Sequence, residues 1–388
     1  MREGWSERTL GEVADVLDRM RRPVSAAERE QRPGQVPYFG ATGQAGWIDE
    51  PLFNEELVLL GEDAIDFLNP LVHKAYLVSG PSWVNNHAHV LRANQNEVLS
   101  FVLMEALNRV DYSRFVAFGT RSKLTQGSMM GIRLQIPPLS EQRRIVDLMQ
   151  SVDTYIESLQ QQVEAARTAR NAVLHDLLSA GGDDWTETTL GHVVQVNSEN
   201  TRGFDSDDEI TYIDLSSVSK EIGISDDLYR GTYSDAPGRA RRVVRSQDVL
   251  IATVRPYLRG FAVIPTSLDG AVASTGFAVL RAVANEIRPS FLWAIVGMDE
   301  FVDFLMERAT GSSYPAVRPD DIASFPVLLP PIPVQDRIGA VVSSFDEVLA
   351  SSESALKSAR DVRSGLLADL LSSDHEIPES YDRFLGVA

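Results

Sequence analysis

PPLSEQRRI, residues Pro137 to Ile145, returns as PPIPVQDRI, residues Pro330 to Ile338, 193 positions later and without a gap. Farther along the same register, VLHDLLS from Val173 meets LLADLLS from Leu366. Between these landmarks, residues Ile145, Met149, Val152, Ile156, Leu159, Val163, Ala166, Arg170, Val173 and Leu177 follow steps of four and three. The second copy repeats the seam as Ile338, Val342, Phe345, Leu349, Ser352, Leu356, Ala359, Arg363, Leu366 and Leu370. A 3.5-residue apolar period marks a helix that packs lengthwise on another helix. Even the single arginine recurs at the same place, so the two seams are expected to need each other. At 1.5 Å per residue each helix would span about 60 Å, longer than a compact domain is wide.

Working outward, WSERTLGEVADV from Trp5 is answered by WTETTLGHVVQV from Trp185, and SFVLMEALN from Ser100 by SFLWAIVGM from Ser290. The chain is therefore a tandem repeat of a globular unit followed by a long helix. The boundaries expected are 1–136 for the first unit, 137–182 for its helix, 183–329 for the second unit, 330–375 for its helix and 376–388 for a tail. Within each unit, β-rich runs such as ELVLLGEDA, KAYLVSG, DVLIATV and FAVIP are bounded by turn residues. One helix is expected in each, around Val98 to Asn108 and around Ser290 to Arg308. The fold class is α+β, with two mixed α/β units. The proline pairs hold the chain extended ahead of each long helix; Ser140 is the expected N-cap, and Gly181-Gly182 the hinge after the first.

The 388 residues carry 44% hydrophobic and 23% charged side chains, enough for two or three globular domains. No cysteine is present, which excludes disulfides and thiolate zinc sites and suits a reducing cytoplasm. The first residues lack the apolar core of a signal peptide, and no apolar run is long enough to span a bilayer. A cytoplasmic protein without membrane attachment is expected. The net charge of −19 is the wrong sign for general nucleic-acid binding. Local patches or a basic partner would have to supply any attraction for DNA. The acidic runs at Asp205–Glu209, in GGDDWTE and in the C-terminal tail read as solvated surface.

FGATG, Phe39 to Gly43, has the letters of a methyltransferase glycine motif, but no helix pattern and no downstream Asn-Pro-Pro-aromatic motif accompany it. Glycines in an exposed turn account for it better. His87 and His89 stand two apart, placing them on one face if that stretch is a strand. No third ligand completes a metal spacing, although Glu62 and Asp63 could approach in space. A polar structural turn is the better account. No phosphate-binding loop and no nucleophile elbow occur, so neither catalytic nor metal residues are expected.

Local positive charge is the informative chemistry. Arg239, Arg241, Arg242, Arg255 and Arg259 gather in the second unit with Tyr257 interleaved. In the first unit Arg19, Arg21 and Arg22, then Arg121 and Lys123, make a smaller group, with Gln44, Gln126 and Asn69 as conceivable base readers. Arginine can hold phosphates or read guanine, and glutamine and asparagine can read adenine. Solvated strand edges are the competing account of the same clusters.

GATGQAGWID, WVNNHAHVLR, RARRVVRSQDVLIATVRPYLRG, STGFAVLR, ATGSSYPAV and the duplicated PPLSEQRRI and PPIPVQDRI together carry a likeness. Over nearly its whole length the chain resembles the specificity subunit of Type I restriction-modification enzymes. Val334 before Gln335 departs from the acidic-Gln pair of that family. The resemblance implies two target recognition domains with pseudo-twofold symmetry, joined by an antiparallel coiled coil. Each domain would read one half of a bipartite duplex DNA site, with domain centres about 15 to 18 base pairs apart. It implies two modification subunits that carry S-adenosylmethionine and methylate adenine at N6, and restriction/translocase subunits for cleavage. This chain would hold no cofactor and catalyse nothing itself. The alternatives are a two-component enzyme whose partner both cuts and methylates, a catalyst using His87 and His89 or FGATG, and a coiled-coil scaffold for proteins.

Overall fold

The computed structural model describes residues 4–117, 122–220, 223–372 and 375–384. They form two compact units, Met1–Ser158 with Leu356–Ala388, and Leu159–Ala355. Each contains one half of the tandem repeat and a portion of both long helices.

In the first unit, one antiparallel sheet runs in the order Ala14–Val16, Ala88–Ala93, Leu57–Gly61, Ala75–Val78. A second runs Gly43–Ile48, Val36–Gly40, Pro81–Val84, Phe53–Asn54, with its two middle strands parallel. Ser6–Thr9 pairs with Arg133–Ile136. The second unit repeats this plan strand for strand. Its first sheet is Val194–Val196, Phe277–Ala282, Val249–Ala252, Phe261–Val263. Its second is Tyr229–Thr232, Glu209–Ile213, Val272–Ser274, Ala240–Val243, again parallel in the middle. The central strands, LVLLG and VLIA, are buried along their whole length, which explains their continuous apolar reading rather than alternation.

The helix expected around Val98 to Asn108 runs Ser100–Asn108. Its counterpart does not run on to Arg308 unbroken. It divides into Pro289–Val296 and Asp299–Arg308, because Gly297 closes the first and Met298 is extended.

The long helices run Leu139–Ser179 and Ile332–Leu371. Ser140, expected as N-cap, lies one residue inside the first, where the Pro138 carbonyl accepts the Gln142 N–H at 2.9 Å. Gly181, at φ +60°, takes the left-handed conformation that ends that helix. In each unit the two helices meet in opposite chain directions. In the first, Ile145 and Met149 pack with Leu367 and Leu370, and Arg363 pairs with Asp153, Nη2 to Oδ2 at 3.0 Å. In the second, Leu174 shares a core with Ile338 and Val342, Arg170 meets Asp346 at 2.7 Å, and Arg167 meets Glu353 at 2.5 Å. Of the seam residues, Ile145, Leu159, Val163, Ile338 and Leu356 are buried, while Val152, Phe345 and Leu366 are half-buried. The repeated arginine is thus no flaw in the seam: it finds an aspartate on the facing helix each time.

The duplicated glutamine joins each long helix to its own unit. Gln142, fully buried, donates to the carbonyls of Glu97 and Pro137 at 2.9 and 2.8 Å and accepts the Leu99 N–H at 2.8 Å. Gln335 does the same with Glu286, Pro330 and Arg288. The departure at Val334 also has a local reason. Glu141 accepts from the Trp5 indole at 3.2 Å, whereas Val334 and Trp185 pack into an apolar cluster instead.

Asp205–Glu209, Asp183 and Asp184 are solvent-exposed. The acidic tail is not all solvated surface: Asp382 binds Arg144 through both carboxylate oxygens at 2.6 and 2.7 Å, and Tyr381 donates to Asp147 at 2.8 Å. Arg144 is buried and would otherwise be an uncompensated charge.

Candidate nucleic-acid interface

The basic residues singled out in the sequence divide into committed and uncommitted groups. In the first unit, Arg21 turns inward from the turn Asp18–Met20 and binds Glu62 at 2.6 Å, the Ala88 carbonyl at 2.8 Å and Asp18 at 3.2 Å. Lys123 binds the other oxygen of Glu62 at 2.7 Å. Their charges are spent inside the unit and leave little for a phosphate. Arg19, in that turn, and Arg22, two residues past its end, are exposed and have no side-chain partner among the described residues. Arg121 lies outside the described residues. Gln44, on the edge strand Gly43–Ile48, folds back to the Gly46 carbonyl at 3.2 Å. Nearby Arg32 is held by Asp49 and Glu50 and stacks on Trp83 at 4.8 Å.

In the second unit, Arg239 is exposed and unpaired among the described residues. Arg242, on the edge strand Ala240–Val243, is half-buried, and among the described residues no anion pairs with it and its buried Nε has no hydrogen-bond partner. Burial pushes its pKa below the usual arginine value. A desolvated guanidinium without a counter-charge is costly, and an incoming anion would relieve that cost. Arg241 is tied to the Gly238 carbonyl at 3.0 Å and to the Tyr233 hydroxyl. Arg255 stacks on the exposed ring of Tyr314 at 4.2 Å, and Arg259 is held by the Gly297 carbonyl at 3.0 Å and by Asp299. Arg255 and Arg259 are both left-handed, φ +51°, and they flank the turn Pro256–Leu258 that exposes Tyr257. Non-glycine residues in that region carry strain of about 1–2 kcal/mol each, so the packing around this turn holds it in a set shape.

The two histidines part company. His87 precedes the strand, is exposed, and meets Asp63 at 2.6 Å. His89 is buried in the strand, with Nδ1 on Asp18 at 2.6 Å and Nε2 on the Leu124 carbonyl at 2.9 Å. The sequence placed both on one face; the structure places them in different surroundings. Asp18, Glu62 and His89 have donor atoms close enough together to hold a metal ion. Arg21 and Lys123 already occupy the same carboxylates, and a dication would have to displace both. The cluster is an ion network that pins the Lys123–Leu124 strand and the Asp18 turn to the first sheet. Burial works to raise the pKa of Asp18, but its bonds to His89 and Val90 outweigh that and hold it below the usual carboxylate range. Glu62 behaves alike, with burial outweighed by Lys123 and Arg21. Phe39–Gly43 comprises the end of the strand Val36–Gly40, a two-residue turn and the start of the antiparallel strand Gly43–Ile48, so a strand rather than a helix follows the glycines.

The chain thus has two like-built units that carry arginines on an edge strand and a surface turn without a side-chain partner among the described residues. The family model described as Type I restriction modification DNA specificity domain matches residues 2–166. A Haemophilus influenzae protein named as a type I restriction enzyme specificity subunit is 31% identical over 143 residues, 37% of this chain and 36% of that protein. The Type I restriction enzyme HindI specificity subunit of the same organism is 22% identical over 166 residues, 42% of this chain and 36% of that protein. The chain's matches thus span about a third of the length of these relatives. The crystal structure of a Type-I restriction-modification system S subunit from M. genitalium shares the fold at a TM-score of 0.58 and 16% identity, over 95% of this chain and 96% of that one. The matched unit and the second unit share one strand order in their two four-stranded sheets, so the second repeats the architecture with a different surface. Among the described residues, no helix is long and apolar enough to cross a membrane.

Sequence reading missed the roles of Asp18 and Glu62, which only the fold brings to His89. It also missed Glu105, a buried acid inside an apolar helix. Laying Glu105 on Ile295 in the repeat register would have found it.

Proposed function

We propose that this chain is the DNA sequence-specificity subunit of a Type I restriction-modification complex. Each unit reads one half of a bipartite duplex target, and the pair of long helices sets the unspecified gap between the halves. Two modification subunits, which carry S-adenosylmethionine, dock on the chain and methylate adenine at N6. Restriction/translocase subunits join the same assembly for cleavage. The chain supplies recognition and no catalytic group.

The observation that carries this reading is the match of residues 2–166 to a DNA specificity domain model beside a second unit with the same order in its two four-stranded sheets, each unit fastening a long helix by the same buried glutamine. The exposed Arg19 and Arg22, and the under-compensated Arg242, supply local attraction for phosphate on a chain of net charge −19. Basic surface on the modification subunits would supply the remainder. The test is the methylome of a host that makes this chain with its modification partner. Modified adenines on opposite strands of one split motif are expected, and exchanging residues 1–136 for those of another specificity subunit should change one half of the motif only. A continuous motif, or both halves changing together, would overturn the reading.

A further inference from the structure

Between the helix Ser100–Asn108, the segment 67–74 and the second long helix lies a cavity of about 650 Å³, wholly within the first unit. Its walls are apolar where Phe67, Val72, Tyr112 and Leu367 line them, and Glu105 lines it as well. Glu105 is 6% exposed, and among the described residues no donor bonds its carboxyl group. Burial raises its pKa above the usual glutamate value, against the pull of Arg109, Arg363 and His73.

Two departures from the repeat create this place. The first is the acid itself. Ser100 and Ser290 begin equivalent helices, and in that register Glu105 stands where the second unit has Ile295, buried in an apolar core. The second is the wall. Residues 62–74 join strands Leu57–Gly61 and Ala75–Val78, whereas the shorter segment 253–260 joins the equivalent strands in the second unit. The longer segment is built firmly. The buried Lys74 donates to the carbonyls of Asn69 and Val72, and the Asn108 amide clamps the backbone of Lys74 and Ala75 at 2.8 Å each. The Glu105 carboxyl group opens into the cavity rather than into packed side chains, whereas an apolar residue fills the same place in the sister unit.

The groups left unspent around the cavity define what would fit. Glu105 offers a hydrogen-bonding carboxyl group, while Arg109 and His73 are exposed and unpaired among the described residues. Arg363 is already held by Asp153 and Lys74 by carbonyls. A fitting molecule presents an N–H donor at one end, an anion at the other and an apolar or flat body between. Sites for small molecules run to about 300–1,000 Å³, and a free amino acid would leave much of this one to water. We propose that the cavity is a binding site for an amine-bearing mononucleotide, with its exocyclic amino group on Glu105 and its phosphate toward Arg109 and His73. The proposal stands independently of the DNA-reading function.

Isothermal titration of the full chain with adenosine monophosphate, inosine monophosphate and adenosine tests it. Inosine monophosphate keeps the phosphate and purine but lacks the amino group; adenosine keeps the amino group but lacks the phosphate. Saturable binding of adenosine monophosphate is expected, about tenfold or more tighter than either analogue. Glu105→Ile, the sister unit's residue, should abolish the preference over inosine monophosphate, and Arg109→Ala should remove the advantage over adenosine. The inference is overturned by absence of saturable binding of adenosine monophosphate, by equal binding of inosine monophosphate, or by a Glu105→Ile protein that binds as the wild type does. If Glu105→Ile fails to fold, the comparison of nucleotides on the wild-type protein decides alone.

Discussion

The side-chain oxygen of Gln142 accepts the backbone N–H of Leu99 at 2.8 Å, fastening the first turn of a long helix to the residue that precedes the helix Ser100–Asn108. The same amide nitrogen holds two carbonyls, so one buried side chain satisfies three backbone groups. Gln335 repeats the arrangement with Arg288. Replacing Gln142 with leucine keeps the volume and orphans all three groups. A loss of about 2–4 kcal/mol is expected in urea unfolding of the first unit. A loss under about 1 kcal/mol would show that water takes the amide's place.

Asp346 and Asp153 are counterparts in the repeat with unequal duties. Each receives the repeated arginine of the facing helix, but Asp346 also accepts the Trp293 indole at 2.8 Å. Asp346→Ala should therefore cost more than Asp153→Ala, by about 1 kcal/mol, the worth of one further hydrogen bond. Thermal melts of the two single variants compare them directly; equal costs would mean the indole bond contributes nothing.

Acid should loosen the first unit through Asp18 and Glu62. Both carboxyls are held below their ordinary values, 3.8 for Asp18 and 4.5 for Glu62, so the stability they supply is whole above pH 4.5 and drains away as pH falls through the lowered values. Glu105 acts in the opposite sense. Its pKa is raised from 4.5, so its contribution is whole below that value and is lost as pH rises through the raised one. Glu105→Ile should accordingly gain on the wild type as pH is taken from 4.5 toward neutrality, in denaturant midpoints measured across that range. A gain that shrinks with rising pH would contradict the assignment.

Arg242 and Arg21 separate binding from folding. On the proposed function, Arg242→Ala should weaken DNA binding by the assembled complex and reduce the slope of log affinity against log salt by about 1. It should leave the melting temperature unchanged or higher, since a desolvated charge is removed. Arg21→Ala should do the reverse, because it strips Glu62 and Asp18 of their internal partner. Filter binding at several salt concentrations, with melts alongside, tests both.

The sequence by itself determined the tandem repeat, the two long helices and their seam, because repetition and a 3.5-residue period are properties of order along the chain. It also carried the family likeness, through short motifs whose letters stand in the chain for inspection. Only the tertiary structure decided what the polar residues do. Arg21 and Arg22 are neighbours in sequence, yet one is consumed by Glu62 and the other faces solvent. Arg170 and Arg363, which interrupt an apolar seam when read linearly, become ion pairs once the facing helix is present. Apolar periodicity is local and survives in one dimension. The fate of a charge depends on partners that arrive from 41 residues away for Arg21, or 176 for Arg170, and no local pattern encodes them.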